Sequence, residues 1–156
     1  MHVEVVTKSA FSVVGIEGRG PADKGPEWIK PLWETAVPRL GEIQDLIQDR
    51  GWGLMSGVDE FLGNWGKDEG RYIAGWELKP EAKAPDGWSV WDVPAATYAT
   101  IECRMQTYGE SWKYMHEKYL PGSEYVRDGA AHEYYPPEFR DIATDSFYLY
   151  FRVTRK

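Results

Sequence analysis

The stretch Arg71-Tyr72-Ile73-Ala74-Gly75-Trp76-Glu77-Leu78 reads as a strand. Successive strand residues point to opposite faces, so Tyr72, Ala74 and Trp76 share one face and Ile73, Gly75 and Glu77 the other. Near the C-terminus Phe147-Tyr148-Leu149-Tyr150-Phe151-Arg152 answers it, with Tyr148 standing against Tyr72 (148 − 72 = 76). Two copies of one strand imply a duplicated chain, and other segments should then recur at a similar spacing.

They do. Val13-Val14-Gly15-Ile16-Glu17 answers Tyr98-Ala99-Thr100-Ile101-Glu102 (98 − 13 = 85), Trp28 answers Trp112 (112 − 28 = 84), and Pro38 answers Pro121 (121 − 38 = 83). Ahead of the first match, residues 3–17 carry two β-branched runs that read as one long or broken strand. From Pro26 the period becomes helical: Trp28, Leu32, Ala36 and Leu40 recur every four residues, and Ile29, Trp33, Ile43, Leu46 and Ile47 extend the stripe. The helix is expected to divide near Pro38, and Gly51 and Gly53 close it. Residues 52–58 then read as a short strand.

Residues 79–87 form a Pro- and Lys-containing connector. Residues 88–93 and 95–105 read as strands, and residues 109–120 as a helix with Trp112, Met115 and Tyr119 on one face. Leu120-Pro121-Gly122-Ser123 stops it, a loop rich in charge and glycine follows, and residues 131–135 and 147–154 are strands. The order is strand, helix, strand, strand, twice over. The fold class is therefore α+β: two pseudo-twofold-related repeats, about 1–80 and 88–156, forming an antiparallel sheet with two main helices. One copy alone leaves a sheet edge and a face unpaired, so two copies complete each other, and the groove between them is a natural place for a ligand.

A chain of 156 residues suits one domain, and eight Trp and ten Tyr both fill cores and line pockets for flat ligands. A net charge of −7, with no basic cluster longer than Arg155-Lys156, argues against direct nucleic-acid binding. Cys103 is the single cysteine, which excludes an internal disulfide and suits a core thiol. Gly18-Arg19-Gly20-Pro21 lacks the spacing and lysine of a phosphate loop. The N-terminus is not a signal peptide and no apolar run approaches the ~20 residues that span a bilayer, so a cytoplasmic protein without membrane contact is expected.

Glu133 is the residue that asks for chemistry. In Ala131-His132-Glu133-Tyr134-Tyr135-Pro136-Pro137 a carboxylate stands among aromatics on a strand, either as a solvated charge or as a buried acid awaiting a cation, a proton or a substrate. His132 points the other way and reads as a surface residue; none of the three histidines has metal-ligand spacing. Tyr72, Trp76 and Tyr148 fit core packing and a pocket wall equally. Trp28, Trp33 and Trp112 read as anchors of helix to sheet.

Residues 72–76, then Gly87-Trp88 through Val93-Pro94-Ala95-Ala96-Thr97-Tyr98-Ala99, Trp112 to Leu120-Pro121, His132 to Pro136, and residues 148–151 together resemble the GyrI-like small-molecule-binding superfamily. This superfamily comprises effector-binding domains of bacterial multidrug-responsive regulators and gyrase inhibitory proteins. The resemblance implies paired strand–helix–strand–strand repeats around an aromatic cavity with a buried glutamate at its floor. By position Glu133 looks like that glutamate and Tyr148, fifteen residues on (148 − 133), its aromatic partner. Tyr72 and Trp76 would be pocket walls, with Tyr108 and Trp112 as further ligand-binding candidates. No helix-turn-helix is evident, so a stand-alone binder of planar aromatic or cationic drug-like molecules is expected, with no cofactor and no metal, and with any protein partner undefined. Two alternatives remain: a hydrolase of strained electrophilic natural products in which Glu133 and Tyr148 carry the chemistry, and an interaction module of the gyrase-inhibitor kind.

Overall fold

Eight strands form one antiparallel sheet, and two helices lie against the same face of it. The computed structural model describes all of residues 1–156. In chain order the elements are β1 (Val3–Lys8), β2 (Phe11–Pro21), α1 (Gly25–Ala36), β3 (Ile47–Ser56), β4 (Glu69–Leu78), β5 (Ser89–Val93) and β6 (Ala96–Cys103). Helix α2 (Tyr108–Tyr114, prolonged by a π-helical turn Met115–Tyr119 and a last turn Leu120–Gly122), β7 (Tyr125–Tyr135) and β8 (Phe147–Arg155) complete the chain. No helix is long and apolar enough to cross a membrane.

The strand order is β1-β6-β8-β7-β3-β4-β2-β5. Exchanging β1 to β4 with β5 to β8 reproduces this order read backwards, so a pseudo-twofold axis passes between β3 and β7. The segment read as one long or broken strand is broken: Ser9 and Ala10 part β1 from β2, β1 pairs with β6 of the other half, and β2 pairs with β4 and β5. Each half lends its first strand to the other. Because two residues join strands that lie first and seventh in the sheet order, the sheet has to curl, and Lys8 of β1 reaches Glu77 of β4 at 3.0 Å.

Two boundaries differ from the sequence expectation. The helical stripe stops at Ala36; Pro38, which has no N–H to donate, sits at the start of a tighter 3-10 segment, Val37–Glu42, and Ile47 already belongs to β3. Strand β7 begins at Tyr125 inside the stretch expected as a loop, and its pairing with β8 slips between Arg127 and Ala131, where Gly129 takes φ +155°.

Register sorts the side chains by face. Tyr72 pairs with Met55, Ala74 with Gly53 and Trp76 with Gly51; Gly53 pairs with Glu133 and Gly51 with Tyr135; Glu133 pairs with Leu149. These residues lie under the helices. Trp28, Ile29, Leu32 and Trp33 of α1 pack on Met55, Tyr72 and Ala74, while Met115 and Leu120 of α2 pack on Ala99, Ile101, Leu149 and Phe151. Burying each of the Leu, Ile, Met and Phe side chains among them contributes about 1.5–3 kcal/mol. The opposite face carries no helix, yet Val13, Trp52, Leu54 and Ile73 are buried there: the curl of the sheet and Leu62 from the β3–β4 loop cover them.

The same register corrects the alignment of the repeats. Ile16 pairs with Ala74 and Ile101 with Leu149, so matching Ile16 to Ile101 matches Ala74 to Leu149 and Tyr72 to Phe147. Setting Tyr72 against Tyr148 was one residue out, and one residue on a strand is the other face of the sheet.

Candidate functional site

Glu133 stands on β7 at the seam between the two halves, directly opposite Gly53 of β3. Glycine is required there, since a Cβ would lie 1.8 Å from the Tyr72 hydroxyl and 2.6 Å from Glu133 Oε1. Three phenols hold the carboxylate. Tyr72 donates to Oε1 at 2.5 Å, Tyr135 donates to Oε1 at 2.9 Å, and Tyr108, from the first turn of α2, donates to Oε2 at 2.9 Å. The Tyr72 oxygen in turn accepts from Trp33 Nε1 at 3.0 Å.

Aromatic rings close over this cluster. Trp33 stands edge-on to Tyr135 at 5.4 Å and to Trp76 at 6.0 Å, and Tyr135 stacks on Phe147 at 5.1 Å. Only 8% of Glu133 is exposed, and no lysine or arginine pairs with it. Burial pushes its carboxyl above the ordinary range, against the three phenol bonds that pull it down. Burial together with the charge of Glu133 pushes Tyr72, Tyr108 and Tyr135 well above the ordinary phenol value, so all three stay neutral donors. The arrangement is a buried carboxyl held by three hydroxyl donors in an apolar enclosure, with no basic side chain against it.

The GyrI-like small molecule binding domain matches residues 1–154 of the sequence. The chain belongs to the GyrI-like family. The transcriptional regulator BrlR of Pseudomonas aeruginosa is 32% identical over 146 residues, which span 90% of this chain and 50% of BrlR. The chain thus spans about half the length of that relative. Among solved structures, SAV2435 bound to tetraphenylphosphonium has a TM-score of 0.68 at 13% identity over 99% of this chain and 94% of that one. The C-terminal domain of EcmrR has a TM-score of 0.68 at 12% identity over 99% and 98% of the two chains. At such identities these two likenesses speak for the shared fold.

In this GyrI-like domain the expected site residues fall into three groups. Glu133, Tyr72 and Tyr108 come together in one hydrogen-bonded cluster. Trp76 and Trp112 stand at its margin, Trp76 through Trp33 and Trp112 at 6.2 Å from Tyr108, and Trp112 Nε1 is buried without an acceptor. Tyr148 is elsewhere: it pairs with Tyr134 and Glu102 on the opposite face of the sheet, 6.2 Å from the Tyr134 ring, and lines a separate cleft of about 490 Å³ with Glu4 and Glu102. The expected pairing of Tyr148 with Glu133 fails by strand parity. His132 does point away from Glu133 but is not on the surface; it is 2% exposed, its Nδ1 accepts the Met55 N–H at 3.1 Å, and burial with Arg127 and Arg152 nearby pushes its pKa down to about 3.

Two members of the cluster escaped the sequence reading. Tyr135 lies two residues from Glu133 on one strand, so the same parity that placed His132 could have placed it. Trp33 was read as an anchor; its role depends on which indole of α1 meets Tyr72, and a helical stripe does not say. Cys103 is buried as expected, its thiol pushed up to about 12 chiefly by burial.

Proposed function

We propose that this chain, as a GyrI-like small-molecule-binding domain, captures a hydrophobic, planar or cationic molecule between α1 and α2, with Glu133 supplying the counter-charge and Trp33, Tyr72, Trp76, Tyr108, Trp112 and Tyr135 the aromatic walls. The observation that carries this reading is a nearly buried carboxylate held by three phenols and paired with no basic residue. A lipophilic cation loses little solvation on leaving water and gains both the carboxylate and ring faces, each face worth about 0.5–2 kcal/mol. That a protein of the same fold is bound to tetraphenylphosphonium supports the choice of probe.

Titration calorimetry with tetraphenylphosphonium tests the proposal. Wild type should bind in a one-to-one complex, and Glu133→Gln should weaken binding by about 1.5–3 kcal/mol, roughly tenfold or more. Equal affinity of the two proteins would sink it. The raised pKa of Glu133 also suits a general acid or base, so electrophilic aromatic compounds incubated with the protein and followed by mass spectrometry separate capture from hydrolysis. Stoichiometric retention without product supports capture, and multiple turnover supports hydrolysis.

A further inference from the structure

The pairing of β3 with β7 ends at Leu54 and His132, and beyond it a cleft of about 530 Å³ lies between the β3–β4 loop and the bulge of β7. Leu62 of that loop is held at φ +62°: its N–H donates to Ser56 Oγ at 2.7 Å, and its carbonyl accepts from the Ala130 N–H at 3.1 Å. Arg127 and Arg152 also line the cleft, and neither is hydrogen-bonded to a carboxylate. Arg127 is half-buried and spends four of its five N–H groups on neutral acceptors, the Gly129 carbonyl, Asn64 Oδ1 and His116 Nε2, which leaves one on Nη1. The Arg152 side chain is 31% exposed and makes no hydrogen bond; its nearest acid, Asp128, stands 3.8 Å away.

Two buried donors accompany Arg152, whose charge reaches both. Tyr98, its cross-strand partner, is 1% exposed with an unpaired hydroxyl. His132 accepts the Met55 N–H on Nδ1, so its proton is on Nε2, where it has no acceptor. Half-buried cations without an acid and buried donors without an acceptor cost folding energy that a bound anionic group would offset. The acids of the cleft, Glu60, Asp92 and Asp128, are exposed, and Asp92 is tied to Ser12 Oγ at 2.5 Å. The lining is thus divided between half-buried guanidiniums and exposed carboxylates.

We propose that this cleft is a second binding site, separate from Glu133, for a small zwitterion of the α-amino acid class with an apolar side chain. Its carboxylate takes the fork of Arg152 and the spare N–H of Arg127, its ammonium takes the exposed acids, and its side chain rests on Phe61, Leu62 and Pro94. A plain anion meets three carboxylates against two guanidiniums, and a plain cation leaves the donors unpaired.

Calorimetry with three probes of one phenylethyl skeleton tests this: phenylalanine, 3-phenylpropanoate, which lacks the ammonium, and phenethylamine, which lacks the carboxylate. Glu133→Gln is the host protein, so that an ammonium captured at the seam does not count. Phenylalanine should bind about tenfold more tightly than either of the others, and Arg152→Gln in the same host should weaken it by about tenfold or more. Amide shifts on adding phenylalanine to the host should centre on residues 60–64 and 127–130, a readout that stands even where Arg152→Gln does not fold. Absence of phenylalanine binding at millimolar concentration, equal or tighter binding of 3-phenylpropanoate, equal affinity in a folded Arg152→Gln, or amide shifts centred elsewhere each overturns the proposal. Failure of tetraphenylphosphonium to bind wild type bears on the Glu133 site alone.

Discussion

At the scale of single residues the chemistry turns on a carboxylate that the fold buries against its preference. The sign of the resulting pH dependence follows from the raised folded-state pKa of Glu133. Below the ordinary value of 4.5 the group is protonated in both states and contributes no difference. As pH rises through the folded-state pKa, the unfolded chain ionises freely while the native state resists, so stability is lost. The urea midpoint of wild type should therefore fall more steeply as pH rises above 4.5 than that of Glu133→Gln; parallel curves would contradict the raised pKa. Gly53 is the other single-residue test. Gly53→Ala drives a methyl into Tyr72 and Glu133, and should cost about 1–3 kcal/mol of stability by thermal unfolding and abolish tetraphenylphosphonium binding.

At the scale of elements the decisive quantity is strand register. Glu133 and Tyr135 face the helices because β7 pairs Glu133 with Gly53 on one side and Leu149 on the other. Tyr148, one residue from Leu149, faces away. Hence Tyr148→Phe should leave tetraphenylphosphonium affinity within error of wild type, whereas Tyr72→Phe, which removes the 2.5 Å bond to Oε1 and strands Trp33 Nε1, should weaken it severalfold. Titrating the two variants side by side checks both. The sequence made Glu133 legible as a carboxylate among aromatics, and Tyr72 and Tyr108 legible through the resemblance. It misplaced Tyr148 because the two repeats differ in loop length: the first halves share an offset, the last strands do not, and a gap of uncertain length cannot preserve a period of two. It missed Trp33 for the related reason that an aromatic stripe on α1 defines a face without naming which ring lies over which strand.

At the scale of the whole molecule, duplication puts a single carboxylate on a twofold seam. Gly53 stands across from Glu133, and the position a second side chain would take is filled by the Tyr72 hydroxyl and the Glu133 carboxyl itself, so the seam holds one acid and not two. One ligand per chain at the seam is the expectation. A cation should bind the ionised form, so its affinity should rise with pH through the folded-state pKa of Glu133 and its binding should release a proton; calorimetry in buffers of different ionisation enthalpy reads this directly. At a free concentration one hundred times the dissociation constant, the ligand should add about 2.7 kcal/mol to unfolding stability, visible as a raised melting temperature.

The sequence by itself determined the α+β class, the two helices, the repeated order of elements and the identity of the carboxylate, because hydrophobic period and turn residues are local properties of a chain. Tertiary structure alone decided that β1 and β5 trade places between the halves, that His132 is buried, and that three phenols and an indole from four separate elements converge on Glu133. Those facts depend on pairings between residues up to about a hundred positions apart, whose register is fixed by packing across the whole sheet and not by any stretch of sequence short enough to read.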